Sequence, residues 1–419
     1  MKKRIKINFY GLPLNVCEEY YFVKILKERY EVEISDKPDY LFCGPLDRYG
    51  YCKFQGIRIF YAFECFHPDM NLFDYALSCT DMGENERHTR IFLPIYNEKN
   101  ISGWNNVGNI ESKTKFCNYI YSHGGIRERT EIFNVINQYK KVDSAGRWMN
   151  NMKGKTVGAN NVDWDSKLAF QKKYKFSIAV ENFSYPYYCT EKITDAFRAH
   201  TIPIYYGDPK IGEYFNEEAF VNLHNYNSFE DALDKIIEID QNHDLFVKML
   251  MAPKFNNKDF WNQEINRMKQ FLYHIFDQDF ETAFRRPDKF WPKKHEMQLN
   301  ISDYLVNRKM NGNVFRDYFQ YQLINRIAIY GQGEFYELIK EDILTSGVEI
   351  KCIIESNMPN KDVNQDGVPV IWAQNALFYQ DVDAIVVMPC YVMDEIMIYL
   401  QEAKVMKRVI SLEQIITCS

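Results

Sequence analysis

The chain has 419 residues, of which 46% are hydrophobic and 16% aromatic, and its formal net charge is −6. This length predicts two or three domains, and the hydrophobic content excludes a disordered chain. The negative charge leaves no overall electrostatic argument for binding nucleic acid.

The cysteines and histidines do not follow the spacing of a structural metal site. Neither Cys-x-x-Cys nor His-x-x-x-His occurs among the ten cysteines and eight histidines, so no zinc site is predicted. Residues 4–9 alternate apolar with polar side chains, which is typical of a strand and not of a signal peptide. No apolar run reaches the ~18 residues of a membrane span. We therefore expect a cytoplasmic protein with reduced thiols, for which peripheral contact with the inner membrane face stays open.

Short apolar segments alternate with amphipathic segments in the first part of the chain. This alternation favours parallel strands joined by helices, as in an α/β domain. We place this first unit at residues 1–112. Its predicted strands are residues 4–9, 31–34, 39–43 and 57–63, and its predicted helix is 17–29.

The same alternation continues in a second α/β unit, which we place at residues 113–285. The helix predicted at 127–141 has its apolar residues on roughly one face, as a helix packed on a sheet requires. The predicted strands of this unit are residues 115–122, 176–180 and 202–205, and the predicted helices are 127–141, 190–199, 229–239 and 258–276.

The polar segment 286–324 contains Pro287 and Pro292 and is predicted to be a connector. A small α/β module follows at residues 325–419. Its predicted strands are residues 326–330, 349–354 and 384–388, and its predicted helices are 335–344 and 393–403.

The first turn of this C-terminal module has part of a dinucleotide-binding fingerprint. Gly331 and Gly333 lie between a strand and a helix, but Tyr336 occupies the third glycine position. Nucleotide binding therefore stays open beside a role in homo-oligomerisation or docking.

The densest polar chemistry follows the strand predicted at residues 176–180. Glu181 and Asn182 end this strand, an aromatic loop follows, and Thr190 can cap the next helix. Ligands of open α/β sheets bind at the carboxyl ends of strands, where the N–H groups of a helix start can bind phosphate. This segment is therefore a candidate phosphate site.

Three residues of the same segment carry side chains suited to a nucleotide ligand. Lys192 would place a positive charge on a diphosphate, Glu191 could accept a hydrogen bond from a sugar hydroxyl, and Tyr188 could stack on the nucleotide or donate to it. A Thr-Glu-Lys helix start is also a common surface cap. Residues 190–192 taken alone favour the surface-cap interpretation.

Residues 174–222 resemble the signature of the α-1,3/4-fucosyltransferases, glycosyltransferase family 10. The family pattern is a strand ending in Glu-Asn, an aromatic loop, Tyr-x-Thr-Glu-Lys, an Asp-Ala-Phe helix and Pro-Ile-Tyr-x-Gly. The matching positions are residues 181–182, 188–192, 195–197, 203–207 and, beyond the pattern, 220–222.

The resemblance implies both a fold and a donor. The fold is α/β in the GT-B arrangement, with an acceptor-side and a donor-binding Rossmann-like domain facing each other and the small C-terminal module appended. The donor is GDP-fucose. Carried over to this sequence, the family's donor contacts are Asn182, Tyr188, Glu191 and Lys192.

An arginine for the donor diphosphate is also implied. The stretch VDSAGRWMNN resembles the family's Val-Asp-x-x-Gly-(Lys/Arg), so Arg147 would bind the diphosphate and stabilise departing GDP. Arg127 and Arg129 are competing candidates, and each of the three could also be a plain surface arginine.

An acceptor-side carboxylate is needed to take the proton of the acceptor hydroxyl. Glu64 follows the apolar stretch IFYAF, and the segment around it resembles the family motif in which a Glu precedes Pro-x-x-Asn-x-x-Asp-Tyr-Ala. This implies that Glu64 is the general base, with weaker acceptor-side roles for His67 and Asn71. Asp74 lies in the same motif and could simply pack the domain.

A bound metal is not expected. The Asp-x-Asp pairs at residues 163/165, 277/279 and 381/383 are dispersed and are interpreted as surface carboxylates. Lys192 and Arg147 would take the place of a metal ion at the diphosphate.

The resemblance implies an inverting α-1,3-fucosyltransferase that acts on an N-acetyllactosamine-type glycan, with α-1,4 linkage left open. One alternative is a GT-B transferase that uses another nucleotide sugar. The other is a non-catalytic glycan- or nucleotide-binding scaffold. Bacterial members of the family often carry heptad repeats and a basic amphipathic tail. Neither is found in this sequence, so the membrane association and coiled-coil dimerisation of those relatives are not expected to carry over.

Overall fold

The computed structural model of the protein describes residues 2–12, 20–46, 49–83, 85–92, 104, 110–153, 157, 164–356, 367–373 and 381–417. Three parallel β-sheets make up its framework. No helix in these ranges is both long and apolar enough to cross a membrane.

The first sheet is parallel and is formed by the N-terminal part of the chain. Its elements are β1 (Arg4–Tyr10), α1 (Tyr21–Arg29), β2 (Glu31–Ile34), β3 (Tyr40–Cys43), β4 (Ile57–Ala62), β5 (Tyr75–Ser78) and β6 (His88–Arg90). The strand order is β2-β1-β3-β4-β5-β6. The central strands β3 and β4 are buried along their whole length, as expected for a parallel sheet covered on both faces. The four predicted strands are confirmed, α1 is confirmed from residue 21, and residues 17–19 lie outside the described ranges.

The second sheet is also parallel, in the order β11-β10-β9-β7-β8. Its strands are β7 (Lys115–Tyr119), β8 (Val142–Ser144), β9 (Tyr174–Val180), β10 (Ile202–Tyr206) and β11 (Val221–Asn222). The helices of this part of the chain are α2 (Arg127–Tyr139), α3 (Trp164–Gln171), α4 (Glu191–Arg198), α5 (Phe229–Gln241), α6 (His243–Met251), α7 (Phe260–Asp277) and α8 (Phe280–Ala283). The predicted strands and helices of this unit are confirmed to within a few residues at their ends.

Helix α7 packs back on the first sheet, although its sequence position lies within the predicted donor-binding domain. The Phe276 ring is centred 4.4 Å from that of Tyr40, and the Tyr30 hydroxyl donates to Asp277 at 2.7 Å. Residues of the first sheet, of α4 and of α7 therefore share one hydrophobic cluster. The domain boundaries near 112 and 285 stay predictions.

The segment predicted to be a connector, residues 286–324, is largely helical. It contains α9 (Phe290–Asn311) and α10 (Val314–Tyr321). Pro292 lies in the first turn of α9, where backbone N–H groups have no intrahelical partner, so a proline is tolerated there.

The third sheet belongs to the C-terminal module. Its elements are β12 (Arg326–Tyr330), α11 (Glu334–Leu344), β13 (Glu349–Glu355), β14 (Val370–Trp372), β15 (Ala384–Val387), α12 (Met393–Glu402), β16 (Arg408–Ser411) and α13 (Leu412–Thr417). The order β14-β13-β12-β15-β16 reverses between β12 and β15, as in doubly wound sheets. The predicted strands and helices of the module are confirmed.

A buried chain of charges joins the first sheet to the C-terminal module through α9. Arg58 on β4 is fully buried and pairs with Glu296 of α9 at 2.7 Å. Lys293 then contacts Glu296 and Glu413 of α13, both at 2.8 Å. Burial alone would raise the pKa of Glu296, but the charges and hydrogen bonds of Arg58 and Lys293 together outweigh it and lower this pKa.

Replacement of Glu296 by alanine should destabilise the protein by about 3–5 kcal/mol, because it leaves the buried Arg58 guanidinium without its counter-charge. Denaturant titration of both proteins measures this loss. The control is Glu238→Ala, which removes a surface partner of Lys235 and should change little. Equal losses for the two variants would contradict the prediction.

Candidate active site

The carboxyl ends of β7, β8, β9 and β10 point to one edge of the second sheet, because these strands are parallel. A cavity of about 410 Å³ opens at this edge, and its walls include Gly125, Arg127, Asn182, Phe183 and Tyr206. Such a volume is typical of a small-molecule site. The cavity also lies at the N-terminus of α2, where the side chain of Ile126 offers no cap to the first N–H groups. These groups are available to an anionic ligand.

Glu181 is the buried centre of the polar contacts beside this cavity. Its carboxylate accepts hydrogen bonds from the Thr190 N–H at 2.8 Å, the Thr190 hydroxyl at 2.6 Å and the Lys192 ammonium at 3.0 Å. The Thr190 hydroxyl therefore does not cap α4, and the predicted side-chain cap is wrong. The hydroxyl donates to Glu181 instead, which lies nine residues earlier in the chain.

Lys192 stays charged although it is mostly buried. Burial would lower its pKa, but the carboxylates of Glu181 and Glu191 outweigh burial and raise it. Glu191 lies 3.6 Å from the same ammonium. Burial would raise the pKa of Glu191, but Lys192 and Lys167 lower it, so Glu191 is ionised. The start of α4 thus presents a fixed pair of opposite charges.

The Glu64 carboxylate directly contacts two residues that were predicted to bind the GDP-fucose donor. It follows β4 of the first sheet, and its Oε2 accepts hydrogen bonds from the Tyr188 hydroxyl at 3.2 Å and the Asn182 amide at 3.3 Å. Tyr188 is fully buried; burial, together with the charges of Glu181 and Glu64, raises its pKa and keeps it protonated. The cleft between the two sheets therefore contains the exposed Glu64 carboxylate, which accepts hydrogen bonds from two side chains of the second unit.

Asn182 is held from its other side by Arg129. The buried Arg129 guanidinium donates to the Asn182 side-chain oxygen at 2.5 Å and to the Val180 carbonyl at 3.2 Å, and it lies 4.3 Å from the centre of the Tyr121 ring. Arg129 is thus no surface arginine. Arg127, in contrast, is exposed and pairs with Glu131.

Arg147 lies in the exposed loop after β8. The next residue, Trp148, packs so closely on Gly124 that a Cβ added there would approach its ring to 2.1 Å. The Arg147 loop is therefore packed on the glycine loop that precedes α2. The structure brings Glu64, Asn182 and Tyr188 together and leaves Arg147 on a neighbouring loop.

The predicted acceptor-side residues are exposed. The His67 ring packs edge-on against Tyr185 at 5.0 Å, across the cleft, and the Asn71 amide donates to Asp69 at 2.9 Å. Asp74 is buried, accepts hydrogen bonds from the Arg285 and Arg286 N–H groups and pairs with the Arg286 guanidinium. Asp74 therefore packs the domain.

Tyr187 fixes the aromatic loop between the two units. Its backbone is left-handed, with φ of 65°, and its N–H donates to the buried Asp208 at 2.7 Å. The guanidinium of Arg90, at the end of β6, lies 4.7 Å from the centre of its ring. Neither Asp208 nor Arg90 was predicted to lie beside these residues.

The glycine loop before α2 was not predicted either. The Gly124–Gly125 pair between a strand and a helix is the signal that could have found it. Within the described ranges, no three His, Cys, Asp or Glu side chains are grouped as metal ligands, and Asp163 lies outside these ranges.

Two family models match the parts of the chain that contain the first and second sheets. Residues 8–98 match the alpha-(1,3)-fucosyltransferase FucT N-terminal domain, and residues 110–271 match the glycosyltransferase family 10 (fucosyltransferase) C-terminal domain. The alpha-(1,3)-fucosyltransferase FucT of Helicobacter pylori is 26% identical over 332 residues, which are 68% of this chain and 67% of that protein. A putative fucosyltransferase of Acanthamoeba polyphaga mimivirus is 27% identical over 273 residues, 59% of this chain and 44% of that one. The alignments thus span about two thirds and less than half of these two relatives.

A solved structure confirms the predicted GT-B fold. The crystal structure of an alpha1,3-fucosyltransferase with GDP-fucose is 23% identical and superposes with a TM-score of 0.56, covering 67% of this chain and 93% of that chain. The two domain matches together include more than half of the residues and end at residue 271, before the C-terminal module. The chain belongs to glycosyltransferase family 10, the fucosyltransferases.

Proposed function

We propose that the protein transfers L-fucose from GDP-fucose to a glycan that contains N-acetylglucosamine, with inversion and formation of an α-1,3 linkage. The observation that carries this proposal is the contact of Glu64 with Tyr188 and Asn182 beside the cavity at the second sheet. The relative named for alpha-(1,3) transfer and the solved structure named for GDP-fucose support the choice of linkage and donor.

In this mechanism Glu64 is the general base. Its exposed carboxylate takes the proton of the acceptor hydroxyl while the hydroxyl oxygen forms a bond to the fucose anomeric carbon. The bond from that carbon to the GDP phosphate oxygen breaks on the opposite face, so one displacement inverts the configuration through an oxocarbenium-like transition state. Asn182 and Tyr188 orient the carboxylate through their hydrogen bonds to Oε2.

The donor side stabilises the negative charge of departing GDP. Lys192 supplies a permanent positive charge, Arg147 adds a second cation from its loop, and the free N–H groups of α2 offer hydrogen bonds to phosphate. Glu191, being ionised, accepts a hydrogen bond from a ribose or fucose hydroxyl. His67 and Asn71 contact the acceptor. No metal ion is required in this scheme.

In this scheme the acceptor binds to a unit of residues 1–112, and the GDP-fucose donor binds to a unit of residues 113–285. Helix α7 couples the two units, because it follows the second sheet in sequence and packs on the first. We place the reaction in the cytoplasm, where nucleotide-sugar donors and growing glycans meet.

Nucleotide binding tests the donor assignment. At a concentration of about 100 times its Kd, GDP should stabilise the protein by roughly 2.7 kcal/mol, whereas UDP at the same concentration should not. Thermal unfolding with each nucleotide measures the difference, and EDTA should leave fucose transfer unchanged. Stabilisation by UDP alone would point to a transferase with another nucleotide sugar. Binding of GDP without fucose transfer to any glycan would point to the non-catalytic scaffold.

A further inference from the structure

The first turns of α9 lie between the acceptor side of the cleft and the C-terminal module. His295 pairs with Asp69, which follows Glu64 by five residues, at 3.0 Å. One residue earlier, Lys294 pairs at 2.7 Å with Glu334, the first residue of α11. The carboxyl edge of the third sheet and the acceptor-side segment therefore meet on the same stretch of α9.

A tryptophan stands exposed at this meeting point. Trp291 is 77% exposed, and it lies one helical turn before His295, so both side chains are on the same face of α9. The Lys294 ammonium lies 5.4 Å from the centre of the Trp291 ring and 5.5 Å from that of Tyr391, which follows β15. We call Trp291, Lys294, His295 and Tyr391 the α9 platform.

We propose that the α9 platform is an accessory subsite for the acceptor glycan, which binds sugar units distal to the one that receives fucose. This proposal rests on the proposed function, because it extends the acceptor cleft at Glu64. The flat, apolar face of an indole can cover the C–H face of a sugar ring and remove apolar area from water. Lys294, His295 and Asp69 offer donors and acceptors for the hydroxyl groups at the ring edge.

The position of the platform limits how long a ligand must be to reach it from Glu64. Glu64 and Asp69 are separated by five residues of chain, which span at most about 17 Å. Trp291 lies one further helical turn away along α9, on the face that carries His295. Because this reach is a maximum, a glycan of several sugar units seated at Glu64 is long enough to cover the indole.

A membrane surface is the competing partner, since exposed aromatic residues beside lysines also occur at lipid interfaces. The charges of α9 argue against it. Lys289 pairs with Asp394, Lys293 with Glu296 and Glu413, and Lys294 with Glu334. These lysines are neutralised within the protein, so the platform has little net positive charge to attract anionic lipid. An uncharged, hydroxyl-rich ligand fits it better.

The test compares glycans of increasing length on the full chain. N-acetyllactosamine oligosaccharides from disaccharide to hexasaccharide are titrated calorimetrically with GDP present. Wild type should bind the hexasaccharide about tenfold more tightly than the disaccharide, and Trp291→Ala should remove this gain without changing disaccharide affinity. Trp291→Phe should keep part of the gain. The matched control is Tyr321→Ala, which removes another exposed aromatic side chain, at the end of α10.

Three results would overturn the subsite. In the first, the wild-type affinity for the glycan does not increase with glycan length. In the second, Trp291→Ala shows the same increase as wild type. In the third, Trp291→Ala loses only its binding to phosphatidylserine vesicles. Fucose transfer separates this proposal from the proposed function. If wild type transfers no fucose but its glycan affinity depends on length and on Trp291, the proposed function fails and the subsite stands. If Trp291→Ala transfers fucose normally to the disaccharide and shows the same length dependence as wild type, the subsite fails alone.

Discussion

Glu64→Gln lowers kcat for fucose transfer by roughly 10²–10⁴-fold, the usual contribution of a general base. The amide cannot take the proton of the acceptor hydroxyl. It keeps the size of the carboxylate and an oxygen that Tyr188 and Asn182 can still donate to, so the site geometry is retained. GDP affinity should stay close to that of wild type.

Initial rates with saturating donor and acceptor measure this loss, and calorimetry with GDP checks that the donor side is intact. Glu238→Gln, on the surface of α5, is the matched control and should leave kcat unchanged. If Glu64→Gln kept kcat within twofold of wild type, the base would have to be another group.

Lys192→Met has the second large effect, because Lys192 serves both stability and catalysis. Without the ammonium, the buried Glu181 carboxylate loses its counter-charge, which costs about 3–5 kcal/mol of stability. Departing GDP also loses a fixed cation, and kcat should fall by roughly 10²–10³-fold, as for removal of one transition-state donor.

A double variant separates the two effects. Glu181→Gln combined with Lys192→Met removes both charges and keeps an acceptor for the Thr190 N–H, so stability should return close to wild type. The rate should not return. Denaturant titration and initial rates on both variants decide the matter. If the double variant regained the wild-type kcat, Lys192 would serve only as the counter-ion of Glu181 and not in catalysis.

The strands and helices that pack on one sheet were predictable because their apolar periodicity is local. Residues 31–34 and 326–330 have the same bounds in sequence and structure. Shorter strands such as β6 and β11 were missed, because two or three residues are too few to show the alternation of apolar and polar side chains. Helix α9 was missed because Pro287, Pro292 and the polar residues around them suggested a connector. The helix packs between the first and third units.

The candidate site was predictable to the extent that its residues lie in long motifs. Glu64, Asn182 and Tyr188 were identified by resemblance, and the structure shows that they touch. The hydrogen bonds of Glu181 with Thr190 and Lys192, and that of Arg129 with Asn182, were not predicted. They depend on which side chains become buried together. The catalytic and donor roles of all these residues stay predictions.

The buried pair of Arg58 and Glu296 also limits how the C-terminal module can be exchanged or lost during evolution. Arg58 belongs to the N-terminal unit, but its counter-charge lies more than two hundred residues later, on α9. A relative that shed everything after the second sheet would have to replace Arg58 at the same time. A chimera that grafts this module onto another fucosyltransferase must carry α9 with it and must supply a buried cation on β4 to receive it.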